Sequence, residues 1–263
     1  MNDIPIDVTV PASARIWNYW LGGQDNYPID REAGDAFLKV CPGMVDIARA
    51  ERAFLVDAVS FLAQERGIRQ FLDIGTGMPT HNNTHQVAQS ITPEAKVVYV
   101  DNDPLVLTHA RALLKGTTEG ETDYLDSDLH TPEDILARAA ATLDFSQPVC
   151  LVLLGIIGHV ADTAEAGRIV DRLTSKLVPG SYLVLCDGTN VHDPQYHRAT
   201  EQWNSIDGAL GYRLRSPEEI TGFFEGTELV EPGVLSTPLW KGEHVDVGTP
   251  QQIDLYGGVG RIG

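Results

Sequence analysis

The chain has 263 residues, of which 43% are hydrophobic and 21% are charged, so we expect one or two ordinary globular domains with an ample core. The formal net charge of −18 disfavours nucleic acid as a partner, because a surface of that sign repels the phosphate backbone. The longest apolar run, residues 149–157, is too short to span a bilayer, and the first residues lack a signal peptide, so we expect a cytoplasmic protein without membrane contact.

Residues 1–65 are predicted to form a helical arm that acts as a lid. The arm contains the aromatic, amide-rich stretch ARIWNYWLGGQDNYPID, followed by an amphipathic helix over residues 42–67. Because this stretch is dense in hydrogen-bonding groups, we expect it to close over a ligand. The residues expected to touch cofactor or substrate are Arg15, Asn18, Tyr19, Gly23, Asp25, Asn26 and Tyr27. The alternative is that the arm only packs Trp17 and Trp20 on the core.

Strand and helix patterns alternate regularly from residue 66 onward. Strands are predicted at residues 69–75, 96–103, 122–128, 147–157 and 181–190, and helices at 80–91, 104–114, 131–143 and 162–178. Helices at residues 192–210 and 216–224, and strands at 227–235 and 252–262, complete the pattern. Such alternation predicts an α/β fold, a largely parallel sheet with helices on both faces.

The segment FLDIGTGMPT, residues 71–80, places two glycines directly after an apolar strand. Glycines there allow positive φ angles and a close approach of the backbone to a ligand. A dinucleotide fingerprint would need a third glycine where Thr80 stands, and no Gly-Lys pair of a phosphate-binding loop follows. The pattern therefore favours a nucleoside-like ligand without a pyrophosphate.

Acidic residues end the next two strands and strengthen this interpretation. Asp101 ends the second strand, where a carboxylate can accept hydrogen bonds from both ribose hydroxyls. Asp128 ends the third strand, where its carboxylate and the amide of Leu129 could recognise the edge of an adenine ring. Glycines and acids at successive strand ends form a stronger signal than the glycine pair alone.

These motifs resemble a known family over nearly the whole chain. FLDIGTGMPT, VVYVDNDPLVL and YLDSDL, together with AERAFLVDAV and PEEITGFFEGTELVEPGV, are similar to the pattern of DUF574, the actinobacterial S-adenosyl methyltransferase family. The resemblance implies a Rossmann-like class I methyltransferase sheet of strand order 3-2-1-4-5-7-6, with strand 7 antiparallel, in residues 66–263. It also implies S-adenosylmethionine as the cofactor and S-adenosylhomocysteine as the product.

Site residues follow from the resemblance by position. Asp73, Gly75, Thr76 and Gly77 would line the methionine part of the cofactor, Asp101 and Asn102 would hold the ribose, Asp128 and Leu129 would face the adenine, and Gly155 would lie beside the methyl group. Pro79 stands where many methyltransferases carry a third glycine. Residues 155–160 also depart from the relatives' pattern, so the resemblance implies no catalytic role for His159.

The resemblance leaves the reaction partner open. We expect methyl transfer to a small-molecule acceptor, and no catalytic residue is identified. The alternatives are a non-catalytic regulatory or partner protein that binds the cofactor, and a different nucleoside-handling enzyme on the same fold. We expect no metal, because His81 and His85 lack a third ligand at a fixed spacing and the three cysteines form no CxxC pair.

Overall fold

The computed structural model describes residues 6–106, 108, 116–240 and 251–263. Its strands are β1 (Gln70–Ile74), β2 (Lys96–Asp101), β3 (Glu121–Asp126), β4 (Cys150–Leu154), β5 (Tyr182–Gly188), β6 (Thr227–Leu229), β7 (Leu235–Ser236) and β8 (Leu255–Ile262). They form one sheet of order β3-β2-β1-β4-β5-β8-β6, and β7 pairs with β8 outside that path. Strands β1 to β5 are parallel and β8 is antiparallel to β5. The predicted sheet is thereby confirmed, with β8 as its seventh strand.

Helices cover both faces of the sheet. They are α1 (Ser13–Trp20), α2 (Pro28–Val40), α3 (Met44–Glu65), α4 (Thr84–Ile91), α5 (Pro132–Ala139), α6 (Thr163–Thr174), α7 (Pro194–Asn204) and α8 (Pro217–Gly222). Because side chains alternate along a strand, Phe71 packs into the core beneath α1 to α4 and α7, whereas Leu72 packs into the core beneath α5, α6 and α8. Both faces are buried, which explains the apolar strands. None of the described helices is both long and apolar enough to cross a membrane.

Several sequence-based boundaries were wrong for local reasons. The helix predicted from residue 80 begins at Thr84, because the side chain of Gln86 accepts a hydrogen bond from the backbone N–H of Asn83 at 2.9 Å and so caps the first turn. The helix predicted to reach residue 210 ends at Asn204. The predicted strand 227–235 is split into β6 and β7 by a turn at Gly233, whose φ is +89°. Most of the helix predicted at 104–114 lies outside the described residues.

A buried ion pair holds the beginning of α1 against the beginning of α2. The carboxylate of Asp30 is fully buried and accepts hydrogen bonds from Arg15 Nε at 3.1 Å, Ala12 N at 3.0 Å and Tyr27 N at 2.8 Å. The guanidinium of Arg15 also donates to the backbone carbonyls of Asp7 and Val10. One carboxylate therefore fixes both helix starts, and neither charge is left without a partner.

The first three helices share a hydrophobic core with the sheet. Ile16 and Trp20 of α1, and Phe54 and Leu55 of α3, belong to the same buried cluster as Phe71 of β1. The arm is therefore continuous in packing with the sheet, and its division from the sheet between residues 65 and 66 stays a prediction.

Replacing Asp30 with Ala should destabilise the protein by about 3–5 kcal/mol, because the guanidinium of Arg15 would remain buried without its counter-charge. Asp35→Ala on the same helix is the matched control, since Asp35 is exposed and accepts a solvent-exposed hydrogen bond from the hydroxyl of Tyr19. That change should cost less than about 1 kcal/mol. Urea unfolding measures both free energies, and equal losses would contradict a structural role for the buried pair.

Candidate functional site

A cavity of about 470 Å³ lies beyond the carboxyl ends of β1, β2 and β4. Its volume falls within the range of small-molecule sites, and its position is the one where open α/β sheets bind ligands. The loops that follow the three strands form its floor, with residues 75–77, 101–103 and 155–156. Helix α1 contributes Arg15, Trp17 and Asn18 to its wall, and α3 contributes Glu51 and Arg52.

The loops after β1 and β4 touch each other at a glycine. Gly75 has a φ of +77° and donates its N–H to the carbonyl of Val100 at 2.8 Å. A Cβ at Gly75 would lie 2.5 Å from the side chain of Ile156, so only glycine fits. Gly77 also has a positive φ, +61°, but the space beside it is open. The turn is therefore fixed by contact at its first glycine and by backbone conformation alone at its second.

Asp101 stands at the end of β2 and organises the rim of the cavity. One carboxylate oxygen accepts the N–H of Gly77 at 2.9 Å and the other accepts the N–H of Asp103 at 2.9 Å. Burial raises the pKa of Asp101 to about 6. Each oxygen of an ionised carboxylate has a second lone pair, so both can still accept a hydrogen bond from a ligand. The adjacent Asn102 donates to the carboxylate of Asp128 at 2.9 Å.

The structure brings some of the predicted cofactor residues together and places others elsewhere. Gly75, Thr76, Gly77, Asp101, Asn102 and Gly155 line the cavity. Asp73 is buried behind the turn, where it accepts the hydroxyl of Thr84 at 2.5 Å and ties β1 to α4. Burial raises the pKa of Asp73 to about 6. Asp128 lies outside the described lining and bonds His130, and Leu129 packs in the core beneath α5.

Of the arm residues predicted to touch cofactor or substrate, some line the cavity and others lie away from it. Arg15 and Asn18 line the cavity, although the guanidinium of Arg15 is paired with Asp30. Tyr19 points away and donates its hydroxyl to Asp35 at 2.7 Å. Gly23, Asp25, Asn26 and Tyr27 lie outside the described lining. The side-chain oxygen of Asn18 accepts hydrogen bonds from Asp25 N at 3.0 Å and Asn26 Nδ2 at 2.9 Å, so these residues form a turn that supports α1.

Sequence reasoning missed two charged residues, Glu51 and Arg52, that face the cavity from α3. Glu51 Oε2 and Arg52 Nε are buried, and neither atom has a hydrogen-bond partner in the described part of the chain. Burial raises the pKa of Glu51 to about 8, since a charge without water is penalised. The signal was present in the sequence. Both residues fall at helical spacing between Ala48 and Leu55, on the apolar stripe of the helix.

The sequence of residues 2–263 matches the profile of the S-adenosyl methyltransferase family. The protein belongs to that family. It is 43% identical to a DUF574 family protein from Streptomyces avermitilis, with 98% of this chain and 100% of that chain covered and a TM-score of 0.92. A proposed methyltransferase from Thermobifida fusca is 39% identical over 97% of this chain and 96% of its own, with a TM-score of 0.87. No curated protein matches the sequence significantly.

A more distant likeness supports only the fold of the protein. A SAM-dependent methyltransferase from Anabaena variabilis is 13% identical, with 78% of this chain and 83% of that chain covered and a TM-score of 0.52. The profile match and the two relatives at 43% and 39% identity confirm the family named from the sequence motifs. Within the described ranges, no cluster of three or more His, Cys, Asp or Glu side chains could hold a metal ion. Cys41, Cys150 and Cys186 are buried thiols.

Gly75→Ala should destabilise the protein more than Gly77→Ala. Both changes force alanine into the left-handed region, at a cost of about 1–2 kcal/mol. Only the first also pushes a methyl group into Ile156, which should add about 1–3 kcal/mol of overpacking. Urea unfolding of the two variants measures the difference. Equal destabilisation would show that the β1 and β4 loops do not pack as closely as described.

Glu51→Gln should remove a pH dependence of stability. The folded carboxyl has a pKa of about 8 against an ordinary 4.5, so the folded protein keeps a proton that the unfolded chain releases. The stability that this proton contributes is full below about pH 4.5 and is lost as the pH rises toward about 8. The variant should therefore equal the wild type near about pH 5 and exceed it near about pH 9.

Urea unfolding at the two pH values tests this, with the exposed Glu225→Gln as a charge-matched control. If the free energy of unfolding falls by the same amount between the two pH values in the wild type, in Glu51→Gln and in the control, Glu51 is ionised in the folded protein at both pH values.

Proposed function

We propose that the protein binds S-adenosylmethionine in the cavity of about 470 Å³ and transfers its methyl group to a small-molecule acceptor. The observation that carries the proposal is the pair of buried, unpartnered polar atoms, Glu51 Oε2 and Arg52 Nε, at a cavity whose rim is formed by Asp101. Buried polar atoms that lack a partner within the described residues fit a ligand that supplies one.

The ribose of the cofactor fits the rim formed by the loop after β2. Asp101 has lone pairs left on both oxygens for the two ribose hydroxyls, and Asn102 is held beside it by Asp128. We assign the adenine to the side of this loop toward Asp128 and Leu129. In this arrangement Asp128 acts mainly through Asn102, since it lies outside the described lining of the cavity.

The methionine end fits the opposite side, between the glycine turn and α3. S-adenosylmethionine carries a sulfonium, an ammonium and a carboxylate, so it needs both an acidic and a basic partner there. Glu51 would face the ammonium or the sulfonium, and Arg52 would face the carboxylate, each as a charge-assisted contact. Gly155, where a Cβ would lie 2.7 Å from Glu51 Oε2, leaves room for this approach. Gly75, Thr76 and Gly77 form the adjoining backbone wall.

When bound, the cofactor supplies an electrophilic methyl carbon on a positively charged sulfur. The protein's own contribution is to hold the reacting groups in line and to exclude water, and such alignment supplies about 7–11 kcal/mol of the barrier reduction. Helix α1 excludes water, because Trp17 and Asn18 cover the cavity and the buried Arg15–Asp30 pair holds the helix in place. We assign the arm this covering role, in which Tyr19 and residues 23–27 act as supports.

Calorimetric titration with S-adenosylmethionine, S-adenosylhomocysteine and NAD tests the proposal. Both sulfur nucleosides should bind, and NAD should not, because the third glycine of a pyrophosphate site is replaced by Thr80. Asp101→Ala should weaken S-adenosylhomocysteine binding roughly tenfold to a hundredfold, since charge-assisted hydrogen bonds of about 1.5–3 kcal/mol are lost.

Asp126→Ala is the matched control, because Asp126 pairs with Asp101 in the sheet register but is exposed. It should leave the affinity within about twofold. Binding of NAD in place of both sulfur nucleosides would refute the proposal. Unchanged affinity in folded Asp101→Ala would move the ribose away from β2. Binding without methyl transfer to any acceptor would identify a non-catalytic cofactor-binding protein.

A further inference from the structure

A small aromatic cavity of about 50 Å³ adjoins the large one. Half of its lining residues are Trp, Phe or Tyr, namely Trp17, Trp20, Phe37, Tyr196, Trp203 and Tyr212. Ser13, Trp17 and His159 line both cavities, so the two meet at these residues. At about 10–15 Å³ for each water-sized group, the aromatic cavity accepts a few atoms, which suits the edge of one planar ring.

His159 stands at this boundary with a defined tautomer. Its Nδ1 lies 2.9 Å from the carbonyl oxygen of Gly211, and a carbonyl only accepts, so Nδ1 carries the proton and donates it. Nε2 therefore holds a lone pair. The nearest described partner of Nε2 is the hydroxyl of Ser13 at 3.4 Å, on the side where the two cavities meet. The ring of Tyr212 packs against His159 edge-on, with ring centroids 5.1 Å apart, and fixes its orientation.

The surroundings keep this imidazole in its basic form. Burial lowers the pKa of His159, because a charged imidazolium without water is penalised. The carbonyl of Gly211 opposes this effect by accepting the Nδ1 proton. A neutral imidazole whose lone pair faces a ligand cavity has the form that a general base needs.

This inference rests on the proposed function. We propose that the methyl acceptor is a phenol, which places one edge of its ring in the aromatic cavity and its hydroxyl at His159 Nε2. The acceptor oxygen forms a bond to the methyl carbon while the carbon–sulfur bond breaks and its electron pair stays on sulfur. The hydroxyl proton passes to Nε2 and then to solvent. An aromatic hydroxyl with a pKa of about 10 is mostly protonated at neutral pH, so a base at this position has a purpose.

The first test is the tautomer and protonation state of His159 in the full chain. Protein labelled with ¹⁵N-histidine, with the His159 signals assigned by their loss in His159→Gln, is titrated between about pH 5 and 9. The neutral form protonated at Nδ1 should dominate at neutral pH, with a midpoint below the ordinary value of about 6.5. A proton on Nε2, or a charged ring at pH 7, would leave no lone pair for the acceptor and would overturn the proposal.

The second test uses phenol as the probe, with methoxybenzene as a matched control that has the same ring and no hydroxyl. Each is titrated into protein saturated with S-adenosylhomocysteine. Phenol should shift the His159 Nε2 signal, and methoxybenzene should not. Ala33→Leu, which fills the aromatic cavity, should weaken the phenol effect at least tenfold, whereas Ala36→Leu on the exposed side of α2 should not. Equal shifts with both probes, no shift with either, or no effect of Ala33→Leu would overturn the proposal.

The third test separates a base from a binding contact. Protein with S-adenosylmethionine and phenol should form methoxybenzene, detected by mass spectrometry, and His159→Gln should lose at least tenfold in rate. A wild-type rate in His159→Gln, or phenol binding at Nε2 without product, would overturn the role as a base. Failure of the wild-type protein to bind S-adenosylhomocysteine would instead refute the proposed function. The experiment therefore distinguishes failure of the acceptor proposal from failure of the proposed function.

Discussion

The contact between the loop after β1 and the loop after β4 is the constraint on which the rest of the site depends. Gly75 lies so close to Ile156 that no side chain fits between them, and this closeness places the β1 turn and Gly155 on one floor. Asp101 then ties the same turn to β2 through the N–H of Gly77. Three strand ends that are separate in sequence thereby become one surface, and residues of α1 and α3 line the cavity above it.

Several carboxyl groups are buried at the end of the sheet where the cavity lies. Burial raises the pKa of Glu51 to about 8 and those of Asp73, Asp101 and Asp187 to about 6, so the free protein holds several acids in conditions that oppose their ionisation. Such groups weaken the folded state as the pH rises. A bound cation would favour the ionised form of these acids and so lower their pKa values. Groups that cost stability in the free protein are often the ones that function requires.

The strands of the sheet could be predicted from the sequence more completely than the residues of the site. The strands and the glycine turn follow from the apolar runs and from Gly75 and Gly77, because these signals are local. The order of the strands was predicted only through the family resemblance. Glu51 was missed because a charged residue on a helix is normally read as solvent-facing, although its place on the apolar stripe of α3 already turned it inward. The tautomer of His159 could not be predicted from the sequence, because it depends on the carbonyl of Gly211, 52 residues later in the chain. Helix α2 was missed although Pro28 and Asp30 mark its first turn.

The order of strands at the far edge sets the order in which the sheet can close. Strand β6 precedes β8 in the chain, yet it joins the sheet only through β8, which lies between it and β5. During synthesis β6 must therefore wait until residues 255–262 have emerged, and until then β5 presents an open edge that invites pairing with other chains. The half of the sheet that forms the cavity floor, built from β1 to β4, has no such wait. The floor of the cavity therefore depends on strands that emerge early, whereas the far edge of the sheet depends on the last one.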